Sequence, residues 1–176
     1  MTTTTDRGTF REDDDGRPTV RFERIYDLPI DRVWALVSEP AELAHWFPFP
    51  EVTLDLTMGG EAEFTGDPNA PGAVVAGRVT ALDPPRLLAF DWGGDELRFE
   101  LDRLAADRTR LTFTDLLEAE DAAARNAAGW DLCLEALSAR AAGKGVPERG
   151  GRGAWQRRYQ AYVSAGLPSG AVVPGG

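Results

Sequence analysis

EDAAARNAAGWDLCLEALSARAAG, residues 120–143, decides how the rest of the chain is read. Its apolar residues recur at helical spacing. Asn126, Gly129, Trp130, Cys133 and Leu137 fall on one stripe, with Asp131, Glu135 and Ser138 opposite. The run is long enough for about five to six helical turns, and Gly143 ends it. A helix with one apolar stripe needs a surface to cover that stripe. The segments before it offer a sheet.

Those segments alternate with period two. Residues 96–104, ELRFELDRL, set Leu97, Phe99 and Leu101 against Arg98, Glu100 and Asp102, the pattern of a strand wet on one face. Residues 86–92 alternate Leu88, Phe90 and Trp92. Further strands are expected at 18–28, 51–57, 61–66, 73–83 and 107–117. Val52, Leu54 and Leu56 share a face in the second of these. Met58-Gly59-Gly60, Asp83-Pro84-Pro85, Gly93-Gly94 and Ala105-Ala106-Asp107 supply the turns. Gly77 inside a long strand signals a bulge or a close backbone approach. Two short helices follow the first strand. Residues 31–39 have Pro29 in the first turn, with Asp27 as a candidate cap, and Pro40 stops them. Residues 41–47 are ended by Pro48 and Pro50.

The expected fold is therefore α+β. A curved antiparallel sheet of about seven strands wraps one long C-terminal helix, the helix-grip arrangement, with room for a cavity between them. Residues 1–17, polar with an acidic run, read as a disordered tail, and 18–143 as the domain. Residues 144–153 read as a flexible linker, 154–168 as a helical extension carrying Trp155 and Tyr159, and 169–176 as a tail. That extension is expected to fold back onto the domain.

Composition narrows the function. The chain has 176 residues and a net charge of −10, which repels phosphate backbones and argues against nucleic-acid binding. No apolar run approaches the about 20 residues of a membrane span, and the N-terminus has no apolar leader. The one cysteine, Cys133, forms no internal disulfide and suits a reducing cytoplasm. Arginine supplies almost all the basic residues, as in proteins of GC-rich bacteria. With one histidine and one cysteine no ligand set has metal-binding spacing, so no metal and no cofactor are expected. GGRG and MGGE are neither a dinucleotide fingerprint nor a P-loop.

Several stretches in order resemble the SRPBCC superfamily, also called START-like or Bet v 1-like. The resemblance is to the branch named for homology to the activator of heat-shock-protein-90 ATPase. They are DLPIDRVWALVSEPAELAHWF at 27–47, LTMGGEAEF at 56–64, GRVTALDPPRLLAFDW at 77–92, NAAGWDLCLEAL at 126–137 and the ending WQRRYQAYVSAGLP at 155–168. The resemblance implies a hydrophobic cavity for a small apolar ligand. It also implies that 43–50, LAHWFPFP, acts as a lid near the cavity mouth, with Trp46, Phe47 and Phe49 lining or closing the rim and His45 facing solvent or capping the helix end. Some relatives are cyclases, aromatases or ligand-sequestering proteins. The name suggests a chaperone partner, but only the shared domain supports one, and none is expected. The branch often carries histidines where this chain has Asp115 and Asn126.

The candidate cavity residues are Trp46, Phe49, Phe64, Phe90, Trp92, Phe99, Phe113, Asp115, Asn126, Trp130, Cys133 and Leu134. Asp115 follows the inward parity of Leu111 and Phe113, and Asn126 lies on the helix stripe. The two are expected to hydrogen-bond to each other or to a ligand; the alternative is that Asp115 meets water at the strand end. Asp115 is the one candidate acid or base, because burial would raise its pKa. The expected function is non-catalytic binding of a small apolar molecule by a monomer or homodimer. The alternatives are a cyclase, aromatase or isomerase using Asp115, and a chaperone or regulator interaction protein.

Overall fold

The computed structural model describes residues 7–145 and 151–173. Eight strands form one antiparallel sheet. They are β1 (Thr9–Glu12), β2 (Pro18–Tyr26), β3 (Glu51–Leu54), β4 (Glu61–Thr65), β5 (Val75–Asp83), β6 (Leu87–Trp92), β7 (Asp95–Ala105) and β8 (Arg108–Leu116). Between β2 and β3 lie α1 (Ile30–Ser38) and α2 (Pro40–Leu43). After β8 come a single 3-10 turn, α3 (Ala123–Ala141) and α4 (Gly151–Ser164). The sheet order is β1-β2-β8-β7-β6-β5-β4-β3, so β3 to β8 form a meander and β2 returns to pair with the last strand. This is the α+β helix-grip fold. A register shift between Val79 and Ala81 breaks the β5–β6 ladder, and a bulge of this kind bends a sheet.

Alternation buries one face of the sheet. In β7, Leu97, Phe99 and Leu101 are buried, and in β8 Leu111, Phe113 and Asp115 join them. Phe22, Phe113 and Phe99 stand opposite one another across three adjacent strands. Against this face α3 presents Ala123 and Ala127, both fully buried, with Trp130, Leu134 and Leu137, while the equally buried Ala124 and Ala128 lie on the flank shared with Asp131 and Glu135. The small alanines let the helix lie close to its neighbours and favour helix intrinsically. Gly77 marks a close approach, since a Cβ there would run into the carbonyl of Asp91.

Several expectations need correcting. The N-terminal tail contains β1, whose Phe10 stands opposite Val20, and this is the strand that makes eight rather than seven. A strand pairing supplies backbone partners that composition does not reveal. Residues 1–6 of that tail lie outside the described residues. β3 stops at Leu54, leaving Leu56 exposed rather than on the inner face with Val52 and Leu54. Pro29 itself takes the α1 N-cap position, without any side-chain cap, so Asp27 does not cap the helix. The expected linker already contains the start of α4 at Gly151, while 146–150 lie outside the described residues.

α4 folds back onto α3. Trp155 and Tyr159 stack at 5.0 Å, and the Trp155 indole sits beside Gly129. Gly129, with no side chain, therefore receives α4. Arg158 pairs with Asp131 (3.6 Å) and Glu135, so this side of α3 is covered as well. Buried Tyr162 accepts a hydrogen bond from the Gly8 amide at 2.9 Å. The following segment, whose Pro168 closes the expected helical extension, has left the helix after Ser164 and returns to the start of α3, where Pro168 accepts from the Ala124 amide at 2.9 Å.

Trp46 is a core anchor. It is fully buried, its indole N–H donates to the Leu36 carbonyl at 2.8 Å, and its ring meets Phe99 edge-on. Trp46→Ala should lower unfolding free energy by about 3–5 kcal/mol, read from urea denaturation midpoints.

Candidate ligand site

The site begins with the parity of β8. Asp115 stands between Val20 of β2 and Leu97 of β7, on the inner face, and is fully buried. Asn126 and Trp130 lie one helical turn apart on α3, so both reach the same carboxylate. Asn126 Nδ2 donates to Asp115 Oδ2 at 3.0 Å, and Trp130 Nε1 donates to the same oxygen at 2.9 Å. No donor reaches Oδ1 of Asp115.

A second carboxylate completes the cluster. The Gly93-Gly94 turn, with φ of 57° and 103°, delivers Asp95 to the start of β7. The positive φ at both positions is backbone that an L side chain adopts only with strain, so this turn favours glycine for its angles. Asp95 accepts the Glu118 amide (2.8 Å) and Asn126 Nδ2 (2.9 Å). The Asn126 amide thus bridges two carboxylates. Its orientation is fixed from the other side, because Arg125 Nε donates to Asn126 Oδ1 at 3.1 Å. Arg17 ties the surrounding ends together by donating to the carbonyls of Leu116 (2.8 Å), Leu117 (3.2 Å) and Gly94 (3.4 Å).

Burial pushes the Asp115 carboxyl up to about 7, and the charge of Asp95 adds to the shift against the pull of Asn126 and Trp130. Asp95 is also raised by burial, opposed by the Glu118 amide, Asn126, Arg125 and Arg17. The two titrate as a pair.

Aromatic rings adjoin this polar end. Trp130 meets Phe113 at 4.9 Å, Phe47 at 5.5 Å and Trp92 at 6.0 Å. Phe49 meets half-buried Trp92 at 5.3 Å. Deeper along the sheet, Phe64 stacks on Phe90 and Phe90 on Phe99. The structure therefore brings Asp115, Asn126, Trp130, Phe113, Trp92 and Phe49 to one end. Phe64, Phe90 and Phe99 continue the ring face inward. Cys133 and Leu134 are buried in the same core. In the 43–50 segment His45 is exposed, Trp46 and Phe47 are fully buried, and Phe49 is buried between half-buried Pro48 and exposed Pro50.

Two residues at this end escape a reading of the sequence for its site. Asp95 follows a turn whose register with β8 only pairing reveals, and Arg125 orients the bridging amide. Phe47, expected at the rim, instead meets the rings of Trp46, Phe64, Phe90, Trp92 and Trp130. A separate cleft of about 820 Å³ opens between β2, α3 and α4, lined by Arg24, Tyr26, Asp131, Glu135, Ser138 and Arg158 among others. It contains none of the expected site residues, and Asp131 there pairs with Arg24 at 3.7 Å as well as with Arg158. Among the described residues no group of three or more His, Cys, Asp or Glu side chains is placed to hold a metal ion. No described helix is long and apolar enough to cross a membrane.

A family described as "Activator of Hsp90 ATPase homolog 1-like protein" matches residues 27–142, well over half of the chain, and the chain belongs to this family. Its fold recurs in solved structures. CalU16 from Micromonospora echinospora is 23% identical over 89% of this chain and 94% of its own, with a TM-score of 0.68. A conserved protein of unknown function from Enterococcus faecalis is 20% identical over 93% of this chain and 92% of its own, with a TM-score of 0.74. A Bordetella parapertussis protein is 26% identical over 95% of this chain and 96% of its own, with a TM-score of 0.68. No curated protein matched the sequence.

The titration of Asp115 has a direction that stability measurements can read. Its folded pKa lies above the unfolded value, so it favours the fold while neutral. That contribution is present below about pH 4 and is lost as pH rises towards 7. Asp115→Asn keeps an acceptor for Asn126 and Trp130 and cannot ionise. At pH 8 the variant should be more stable than the wild type by about 2–4 kcal/mol, and at pH 4 the difference should nearly vanish. Chemical denaturation at both pH values checks this.

Proposed function

We propose that the protein binds a small hydrophobic ligand between the sheet and α3, without transforming it. The observation that carries this reading is the continuous aromatic face ending at one buried polar cluster. Ligand sites are mostly apolar, with a few polar groups that fix orientation, and Trp92, Trp130, Phe113 and Phe49 beside Asp115 and Asn126 supply both parts. The ligand would enter where Phe49 and Trp92 close the outer end, since Trp92 is only half-buried. With its single cysteine in reduced form, the protein would work in the cytoplasm as a monomer or homodimer, and this reading needs no chaperone partner.

One observation favours a second reading. A buried carboxyl pushed up to about 7 can both donate and accept a proton near neutrality, as a general acid or base does. In an isomerase or cyclase of that kind, Asp115→Asn would abolish turnover of the bound molecule.

Native mass spectrometry of freshly purified protein, followed by denaturing extraction, should release a co-purifying apolar molecule. Phe49→Ala and Trp92→Ala should each weaken its rebinding by about tenfold, corresponding to about 1.4 kcal/mol, while the protein stays folded. Unchanged affinity in both variants would remove this entrance and the aromatic wall with it.

A further inference from the structure

Asp115 Oδ2 already receives two N–H donors, from Asn126 and Trp130, while Oδ1 receives none and is buried. A second carboxylate, Asp95, shares the bridging amide. Two neighbouring carboxylates in an apolar setting do not both ionise readily. Of the pair, Asp115 is the more deeply buried and takes the proton. Asp95 keeps its charge with the Glu118 amide and the nearby guanidinium groups of Arg125 and Arg17. With Oδ2 occupied by donors, the proton belongs on Oδ1. This leaves a neutral carboxylic O–H on the one buried oxygen that no N–H donor reaches, with Asp95 the carboxylate that interacts with it.

We propose that Oδ1–H of Asp115 is the point at which the ligand's polar end is read, and that this end is an uncharged acceptor oxygen such as a ketone or quinone carbonyl on an aromatic or otherwise apolar body. The inference rests on the ligand-binding reading above and specifies its chemistry. In the empty protein Asp95 can accept the same proton, and a ligand carbonyl takes its place. An ammonium group fits less well. It would require an ionised Asp115, and it would add positive charge to an end where Arg17 and Arg125 already act on Asp95. The groups that bear on the titration are Asp95 from β7, Arg17 from the turn before β2, and Arg125, Asn126 and Trp130 from α3.

The test uses the full chain, labelled with nitrogen-15, and three probes of one shape: naphthalene, 2-acetylnaphthalene and 2-naphthylmethylamine. The indole N–H signal of Trp130 reports on Asp115 directly, because it donates to that carboxyl. At pH 6 the ketone should bind about tenfold tighter than naphthalene, as one good buried hydrogen bond allows. That preference should fade by pH 8.5 in the wild type. Asp115→Asn places an N–H where the O–H was, so it should keep the ketone preference at both pH values, whereas Asp115→Ala should lose it at both. Equal binding of ketone and naphthalene would overturn the inference and leave the ligand reading standing. So would a preference for the amine that grows with pH and disappears in Asp115→Asn. If none of the three binds the wild type, the ligand reading fails and the inference fails with it.

Discussion

A carboxylate enclosed by rings is costly unless something holds it, and here the holding is done by a helix. Trp130 and Asn126 both donate to one oxygen of Asp115, tying the first half of α3 to the inner face of β8. That attachment fixes how far α3 is rotated about its axis, because only one face can present both donors. The same rotation turns Ala123 and Ala127 towards the sheet side and Gly129 towards α4. Had Asp115 been apolar, the helix would still pack, but by shape alone, and cores packed by shape alone hold their register less strictly.

The outer elements then follow from charge as much as from burial. Glu42 of α2 accepts from Arg140 near the end of α3 at 2.9 Å and from Arg32 of α1 at the same distance. The Arg140 guanidinium is the main reason that the Glu42 carboxyl is held below its usual range. Arg140 also sits in the last turn of α3, where a cation complements the helix dipole. α1, α2 and the long helix are therefore joined at one end of the domain, while the carboxylate cluster joins helix and sheet near the other.

Period-two alternation made the sheet from β2 to β8 legible, and the change to helical period at residue 120 made α3 legible. The inward parity that carries Leu111 and Phe113 on to Asp115 also brought its pairing with Asn126 into view before any geometry. What could not be read has a physical reason in each case. β1 is a short edge strand, polar except for Phe10, whose partners come from β2. Asp95 falls between the Gly93-Gly94 turn and the alternating stretch from 96, and its role depends on facing the end of β8 across a register that no local pattern encodes. Asp131 was expected on the open side of α3, and α4 covers it.

The start of α3 carries one further consequence. Ala122 occupies the cap position and offers no side-chain acceptor to the first amides of the helix. A helix start left this way keeps unpaired N–H groups. Here the Ala124 amide finds the carbonyl of Pro168, and Arg125 reaches the carbonyl of Val172, 47 residues further along. The last described segment of the chain thus does the work that a serine or aspartate usually does from within its own helix. The cap is detachable. Anything that draws this segment away would loosen the turn bearing Arg125 and Asn126, making the bridging amide at the core sensitive to the fate of the chain's far end.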